Sequence, residues 1–176
     1  KVSPSTGTFT FIEEKSPKWT FSTTDEYPAE LTLQAACGTT PVNSMNAVSG
    51  MMQLYAFDYD MQSGITYTLA VPEGYLIKGY ELKFKKGSRT HNITISNDET
   101  TLKPDGVSEQ VLSATGLSVT STSFLLIGTV ANNLIKVTDF TVTIQREGGS
   151  ETGIDDIRTV DNNHIYNIRG EKLDKI

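Results

Sequence analysis

The chain has one cysteine, two histidines, one tryptophan and few arginines. Cys37 stands alone, so no internal disulfide can form and the fold must rest on a hydrophobic core. That leaves export open, because exported domains can fold without disulfides. No run of about 18 apolar residues exists, so no segment reads as a membrane-spanning helix. No secretory leader opens the chain, which begins at Lys1. The expectation is that a leader, or a larger upstream part, lies outside this sequence. Basic residues are outnumbered, and the formal net charge of −6 argues against a nucleic-acid partner, since phosphate binding needs clustered cations. The cations that do cluster, Lys83, Lys85, Lys86 and Arg89, read as a solvated rim at a strand end. No amphipathic helix longer than about two turns is evident, and no zinc-ligand spacing occurs.

What the chain does have is threonine, serine and glycine in strand-like patterns. Phe9 and Phe11 alternate with threonine from Thr8 to Ile12. Trp19 to Phe21 follows a turn at Pro17, and Leu31 and Leu33 alternate with Thr32 and Gln34. Met51 to Tyr59 is a long aromatic run, and Ile65, Tyr67, Leu69 and Val71 alternate strictly with Thr66, Thr68 and Ala70. Period two is the signature of a strand with one buried face. Pro72-Glu73-Gly74 then predicts a turn between two strands, because proline gives no ladder donor and glycine permits positive φ.

The next strand changes phase. Tyr75 and Ile77 have one parity; Tyr80, Leu82 and Phe84 have the other, with Gly79 between them. A bulge with an unusual backbone angle at Gly79 would let both sets face the core. The same change recurs where Ile135 and Val137 give way to Phe140, Val142 and Ile144. These segments read as two long inner strands. Between them lie Ile93 and Ile95, Val111 and Leu112, and Phe124 to Ile127, ended by Gly128 and a turn at Ala131-Asn132-Asn133. Such spacing predicts an all-β fold: an antiparallel two-sheet β-sandwich with jelly-roll-like connections, or else a barrel. The sheet order is not readable from the pattern. The glycine-rich stretch Glu147 to Gly153 divides the chain into a β-sandwich domain over 1–147, a linker over 148–156 and a tail over 157–176. The tail reads as a β-hairpin with its turn at Arg169-Gly170.

Two segments carry a family resemblance. His164-Ile165-Tyr166-Asn167-Ile168-Arg169-Gly170-Glu171-Lys172-Leu173, behind Gly153-Ile154-Asp155-Asp156-Ile157, resembles the tail that closes many secreted proteins of gut Bacteroidetes. Pro72 to Phe84, then Ile93-Thr94-Ile95, then Val137 to Ile144, looks like the β-sandwich accessory modules of Bacteroidetes glycan-degrading proteins, often found beside sialidase-like glycoside hydrolase domains. That likeness covers roughly Thr66 to Arg146 and falls on core and turn positions. It implies a secreted, periplasmic or outer-surface location and a catalytic domain, in the same or a neighbouring protein, as partner. It brings no catalytic residue. The arginine cluster and Ser-x-Asp-x-Gly-x-Thr-Trp repeats of a sialidase are missing from the sequence.

The chemistry-bearing residues point the same way. Asp58 and Asp60 have the strand spacing of a one-face pair, yet they alternate with Tyr55, Phe57 and Tyr59, the pattern of a polar face opposite an aromatic one. Cys37, between Ala36 and Gly38 and far in sequence from His91 and His164, reads as a buried structural thiol. No cofactor is expected. Asp25, Glu26, Asp58, Asp60, Asp98 and Glu99 are the carboxylates available to a structural calcium, without the spacing of a defined loop. Asn92-Ile93-Thr94 matches a glycosylation sequon, read as accidental in a bacterial chain.

Carbohydrate binding needs aromatic faces beside polar groups. The candidates are Tyr27, Tyr55 and Tyr59, with Asp58, Asn46 and Asn43 as polar neighbours; Trp19 reads as core. The chain is therefore expected to be a non-catalytic module that binds glycan weakly. The alternatives are a structural spacer or protein-interaction module and, third, a small glycoside hydrolase.

Overall fold

The computed structural model describes residues 5–8, 10–12, 18–22, 30–48, 51–87, 92–104, 108–147, 165–166 and 172–173. Strands β1 (Ser5–Thr8), β2 (Thr10–Ile12), β3 (Lys18–Ser22), β4 (Glu30–Cys37), β5 (Thr40–Pro41) and β6 (Met45–Val48) come first. The central set is β7 (Met51–Tyr55), β8 (Ile65–Ala70), β9 (Tyr75–Lys86), β10 (Thr94–Ser96), β11 (Thr101–Leu102), β12 (Gln110–Ala114), β13 (Ser121–Ile127) and β14 (Leu134–Arg146). Near the C-terminus β15 (Ile165–Tyr166) pairs antiparallel with β16 (Lys172–Leu173), the expected hairpin.

The sheet order completes what the pattern left open. One sheet runs β12-β9-β14-β7-β6 and the other β11-β10-β13-β8-β4-β3-β2. From β7 to β14 the chain passes repeatedly between the sheets, and the two inner sets, β12-β9-β14-β7 and β11-β10-β13-β8, are the two halves of an eight-stranded jelly roll. The N-terminal strands extend it: β6 at one edge, β4, β3 and β2 at another. On the far side of β14 from β9, β7 pairs with Leu134 to Lys136 and β1 with Thr141 to Ile144. The alternation from Thr8 to Ile12 is thus two strands in two sheets rather than one strand. Both pieces keep the strand period, so the sequence does not show where the chain changes partner. Phe9 lies outside the described residues.

Burial follows the alternation. Leu31, Leu33 and Ala35, then Ile65, Tyr67 and Leu69, line the inner face of one sheet. Leu54, Leu82, Phe84, Leu112 and Ile135 line the other. Tyr67 stacks on Phe124 at 5.5 Å between centroids, Phe124 meets Tyr80 at 6.2 Å, and Tyr80 meets Phe140 edge-on at 6.5 Å. This chain of rings crosses from sheet to sheet in the offset and edge-on arrangements that aromatic quadrupoles favour.

Both phase changes are bulges. Thr143 pairs with Gly79 and Ile144 with Ile77, so Lys78 is the extra residue on β9. Val137 pairs with Phe84 and Asp139 with Lys83, so Thr138 is the extra residue on β14. Ile77, Tyr80, Leu82, Phe84, Ile135, Val137, Phe140, Val142 and Ile144 are all buried as a result. The bulges lie on opposite strands, so the one-residue shift made by the first is undone by the second. The reason for glycine at 79 differs from the expected one. Its φ is not in the left-handed region, where Gly38, Gly74 and Gly116 lie. A Cβ at Gly79 would instead stand 2.7 Å from the carbonyl oxygen of Ala114 on β12. Gly74, at φ +83°, does close the Pro72-Glu73-Gly74 turn, but that turn carries the chain from one sheet to the other and forms no hairpin.

Gly79→Ala is expected to destabilise the fold by about 1–3 kcal/mol, because the backbone of β12 must move. Urea melts that show no loss of stability would refute this close approach. Truncation after Glu147, whose amide bonds the carbonyl of Gly74, should leave a folded domain with its melting temperature within a few degrees of the full chain. A large fall would make the tail part of the sandwich.

Candidate functional site

The expected aromatic strand from Met51 to Tyr59 stops at Tyr55. Beyond it the chain bends and forms a turn closed by Asp58 and Ser63, which exchange backbone hydrogen bonds of 2.9 and 3.4 Å. The amide of Met61 donates to Asp58 Oδ1 at 2.9 Å, and the Gln62 side chain donates to the carbonyl of Tyr59. Gln62 itself takes φ +50°. An aspartate that captures a following amide favours a turn over a strand, and it does so here. Asp58 and Asp60 are therefore not paired on one strand face, which corrects that reading.

This turn projects its apolar residues outward. Tyr59 is 69% exposed and Met61 46%. Nearby segments hold the turn in place. Ala56 donates to the carbonyl of Asn133 at 2.8 Å, and Gly128 donates back to Ala56. The Cys37 thiol donates to the carbonyl of Gly64 at 3.4 Å. Behind them the Tyr67 hydroxyl lies 2.7 Å from both the Ser44 and Tyr55 carbonyls. Tyr67 is fully buried, so its hydroxyl needs these acceptors.

The sequence candidates therefore separate. Tyr59 and Asp58 share the turn. Tyr55 is half-buried, packs against the core, and its carbonyl serves Tyr67, so it is a structural clamp rather than an open shelf. Asn46 is exposed on β6, opposite Gln53, and Asn43 is exposed just before β6. Tyr27 lies outside the described residues, as do Asp25, Glu26, His91 and His164. Trp19 sits in register with Leu33. Among the described residues, no three of histidine, cysteine, aspartate and glutamate converge as a metal site. Asp98 and Glu99 sit in a turn closed by Asn97, whose Oδ1 accepts from the amides of Glu99 and Thr100. Burial of Cys37 pushes its thiol up, with Asp58 adding to the effect, as befits a structural thiol.

A second feature was not visible in the sequence. Lys83 is not part of a rim. It sits mid-strand on the outer face of β9, with its Nζ 3.1 Å from Glu81 Oε1 and 3.5 Å from Asp139 Oδ2. These two carboxylates, Glu81 foremost, hold the Lys83 ammonium above its ordinary pKa. Around it lies a groove of 390 Å³ bounded by β9, β12 and β14. The spacing of Glu81 and Lys83 was readable; their meeting with Asp139 depends on the pairing of β9 with β14. No family model, no curated protein and no solved structure matches this chain.

Burial raises the pKa of the Tyr67 hydroxyl well above its ordinary value, and it also raises Tyr80 and Cys37. Raised values in the folded state contribute stability that is complete below the unfolded values, 9.0 for cysteine and 10.0 for tyrosine. It is lost as pH rises through the folded values. The melting temperature should therefore fall progressively above about pH 9. Tyr67→Phe should lose part of that alkaline slope and cost about 1–2 kcal/mol at pH 7. An unchanged slope would show that Tyr67 is not a source of it.

Proposed function

We propose that this chain is a non-catalytic accessory module of a secreted or surface glycan-processing protein, and that it binds carbohydrate weakly at the Asp58–Ser63 turn. The observation that carries the reading is Tyr59. It is the aromatic ring that stands largely exposed among the described residues, and it sits on a turn whose own hydrogen bonds fix it. A pre-fixed ring meets the apolar face of a pyranose with little ordering cost. Asp58, on the same turn, is the polar group that would stand beside the ring in such a site. A catalytic domain in the same or a neighbouring protein is the proposed partner. Even millimolar affinity is useful there, because tethering raises the effective concentration of substrate. Among the described residues no helix is long and apolar enough to cross a membrane.

One observation favours a second reading, a spacer or protein-interaction module. The outward positions of β4, β8 and β13 include Thr32, Thr66, Thr68 and Ser123, and those of β14 include Thr141 and Thr143, none of them aromatic. A hydrolase would need facing carboxylates with separate roles. The facing pair here, Glu81 and Asp139, shares Lys83.

The two readings part on one variant. Tyr59→Ala should weaken retention on the immobilised glycan that the chain prefers in a broad panel, while stability changes by no more than about 0.5 kcal/mol. Retention left unweakened by the substitution removes the Tyr59 turn as a carbohydrate site, and no retention on any glycan moves the assignment to the spacer.

A further inference from the structure

The groove over Lys83 lies along the stretch between the two bulges. The Lys78 bulge stands at one end of the paired stretch of β9 and β14, and the Thr138 bulge at the other. Bulges bend strands and re-aim side chains, and they gather beside binding sites. The stretch between them presents Glu81, Lys83, Asp139, Thr141 and Thr143 outward, with Ser113 across from Glu81 on β12. The volume of 390 Å³ lies within the roughly 300–1,000 Å³ of small-ligand sites.

The lining defines the ligand. The groove lies on a sheet face, where backbone donors and acceptors point along the sheet to neighbouring strands. It can therefore add no strand of a peptide, and it offers side-chain groups. Those groups are the hydroxyls of Ser113, Thr115, Thr141 and Thr143, the Lys78 ammonium, and the Lys83 ammonium shared by two carboxylates. An ammonium and a carboxylate 3.1 Å apart present a donor beside an acceptor at the spacing of neighbouring hydroxyls on a sugar ring. The two lysines and two carboxylates of the lining, Lys78, Lys83, Glu81 and Asp139, balance, so the groove has no net positive charge to attract an anionic ligand. Lys78, the other cation of the groove, reaches toward Ser118 Oγ at 3.5 Å. From this geometry we infer that the outer face of β9 and β14 is a second carbohydrate site, selective for neutral glycans with adjacent free hydroxyls, with Lys83, Glu81 and Asp139 as the diol-binding group. The site is separate from the Tyr59 turn and does not depend on it.

The test is an amide-resolved NMR titration of the full chain with cellohexaose, mannohexaose and, as the acidic probe, sialyllactose. At least one neutral hexasaccharide should shift the amides of Glu81, Lys83, Thr141 and Thr143, and sialyllactose should not. Lys83→Met should weaken this binding about tenfold, as expected for loss of a hydrogen bond to a charged group. Thr141→Val keeps a β-branched residue on the strand and removes only a hydroxyl, so it should weaken binding several-fold with an unchanged melting temperature. Shifts confined to the Asp58–Ser63 turn would overturn the groove site and leave the Tyr59 reading standing. Shifts confined to the groove would do the reverse. No shift with either hexasaccharide at millimolar concentration, or groove shifts that Thr141→Val leaves unweakened, would overturn the inference.

Discussion

The pairing of β9 with β14 is the constraint on which the rest of the sandwich depends. These are the two longest strands, and their ladder runs from Tyr75 with Arg146 to Lys86 with Ile135. Each changes face once, at Lys78 on one strand and at Thr138 on the other. A single bulge would displace the register over the remaining ladder and turn one strand's apolar set to solvent. Two bulges on opposite strands confine the shift to the stretch between them. Nine apolar side chains from the pair then point inward, and burial of this kind is worth about 1.5–3 kcal/mol for each large side chain. Gly79 belongs to the same constraint, since only a residue without Cβ lets β12 approach so closely.

The end of the sandwich that carries the Tyr59 turn is organised by buried polar groups. Tyr67 reaches from β8 to the carbonyls of Ser44 and Tyr55, and so ties the segment before β6 and the end of β7 to the second sheet. Asn97 acts similarly elsewhere. Its side-chain amide donates to the Tyr80 hydroxyl and to the Ser113 carbonyl, both at 2.9 Å, which locks the β10–β11 turn to the first sheet. A buried hydrogen bond such as that of Tyr67 with Ser44 contributes modestly when made and is costly to leave unmade, so it fixes a single arrangement of the segments it joins. A loop fixed in that way can hold an exposed ring such as Tyr59 in one orientation.

The proposed turn site and the groove use different chemistry for one class of ligand. The turn offers a ring and an adjacent carboxylate; the groove offers hydroxyls and a shared cation. In the groove the strand backbone is paired within the sheet, so a ligand there meets side chains. Such contacts give weak affinity and depend on preorganisation. That suits the role proposed above, keeping a tethered enzyme near its substrate.

Sequence by itself determined the all-β class, most of the strands and the two bulges, because period two and its interruptions are local properties of the chain. Ile65, Tyr67 and Leu69 could be assigned to the core without knowing what covered them. It did not determine the partner of any strand. The division of Thr8 to Ile12 between two sheets, the meeting of Asp139 with Lys83, and the approach of Ala114 to Gly79 all join residues through register between distant segments. The turn at Asp58 was missed for a different reason. Tyr55, Phe57 and Tyr59 keep a strand's alternation, and only the hydrogen bond from Met61 to the aspartate, together with the positions of Ala56 and Gly128, selects a turn over a longer strand. Periodicity specifies which face a residue shows; tertiary packing decides what that face meets.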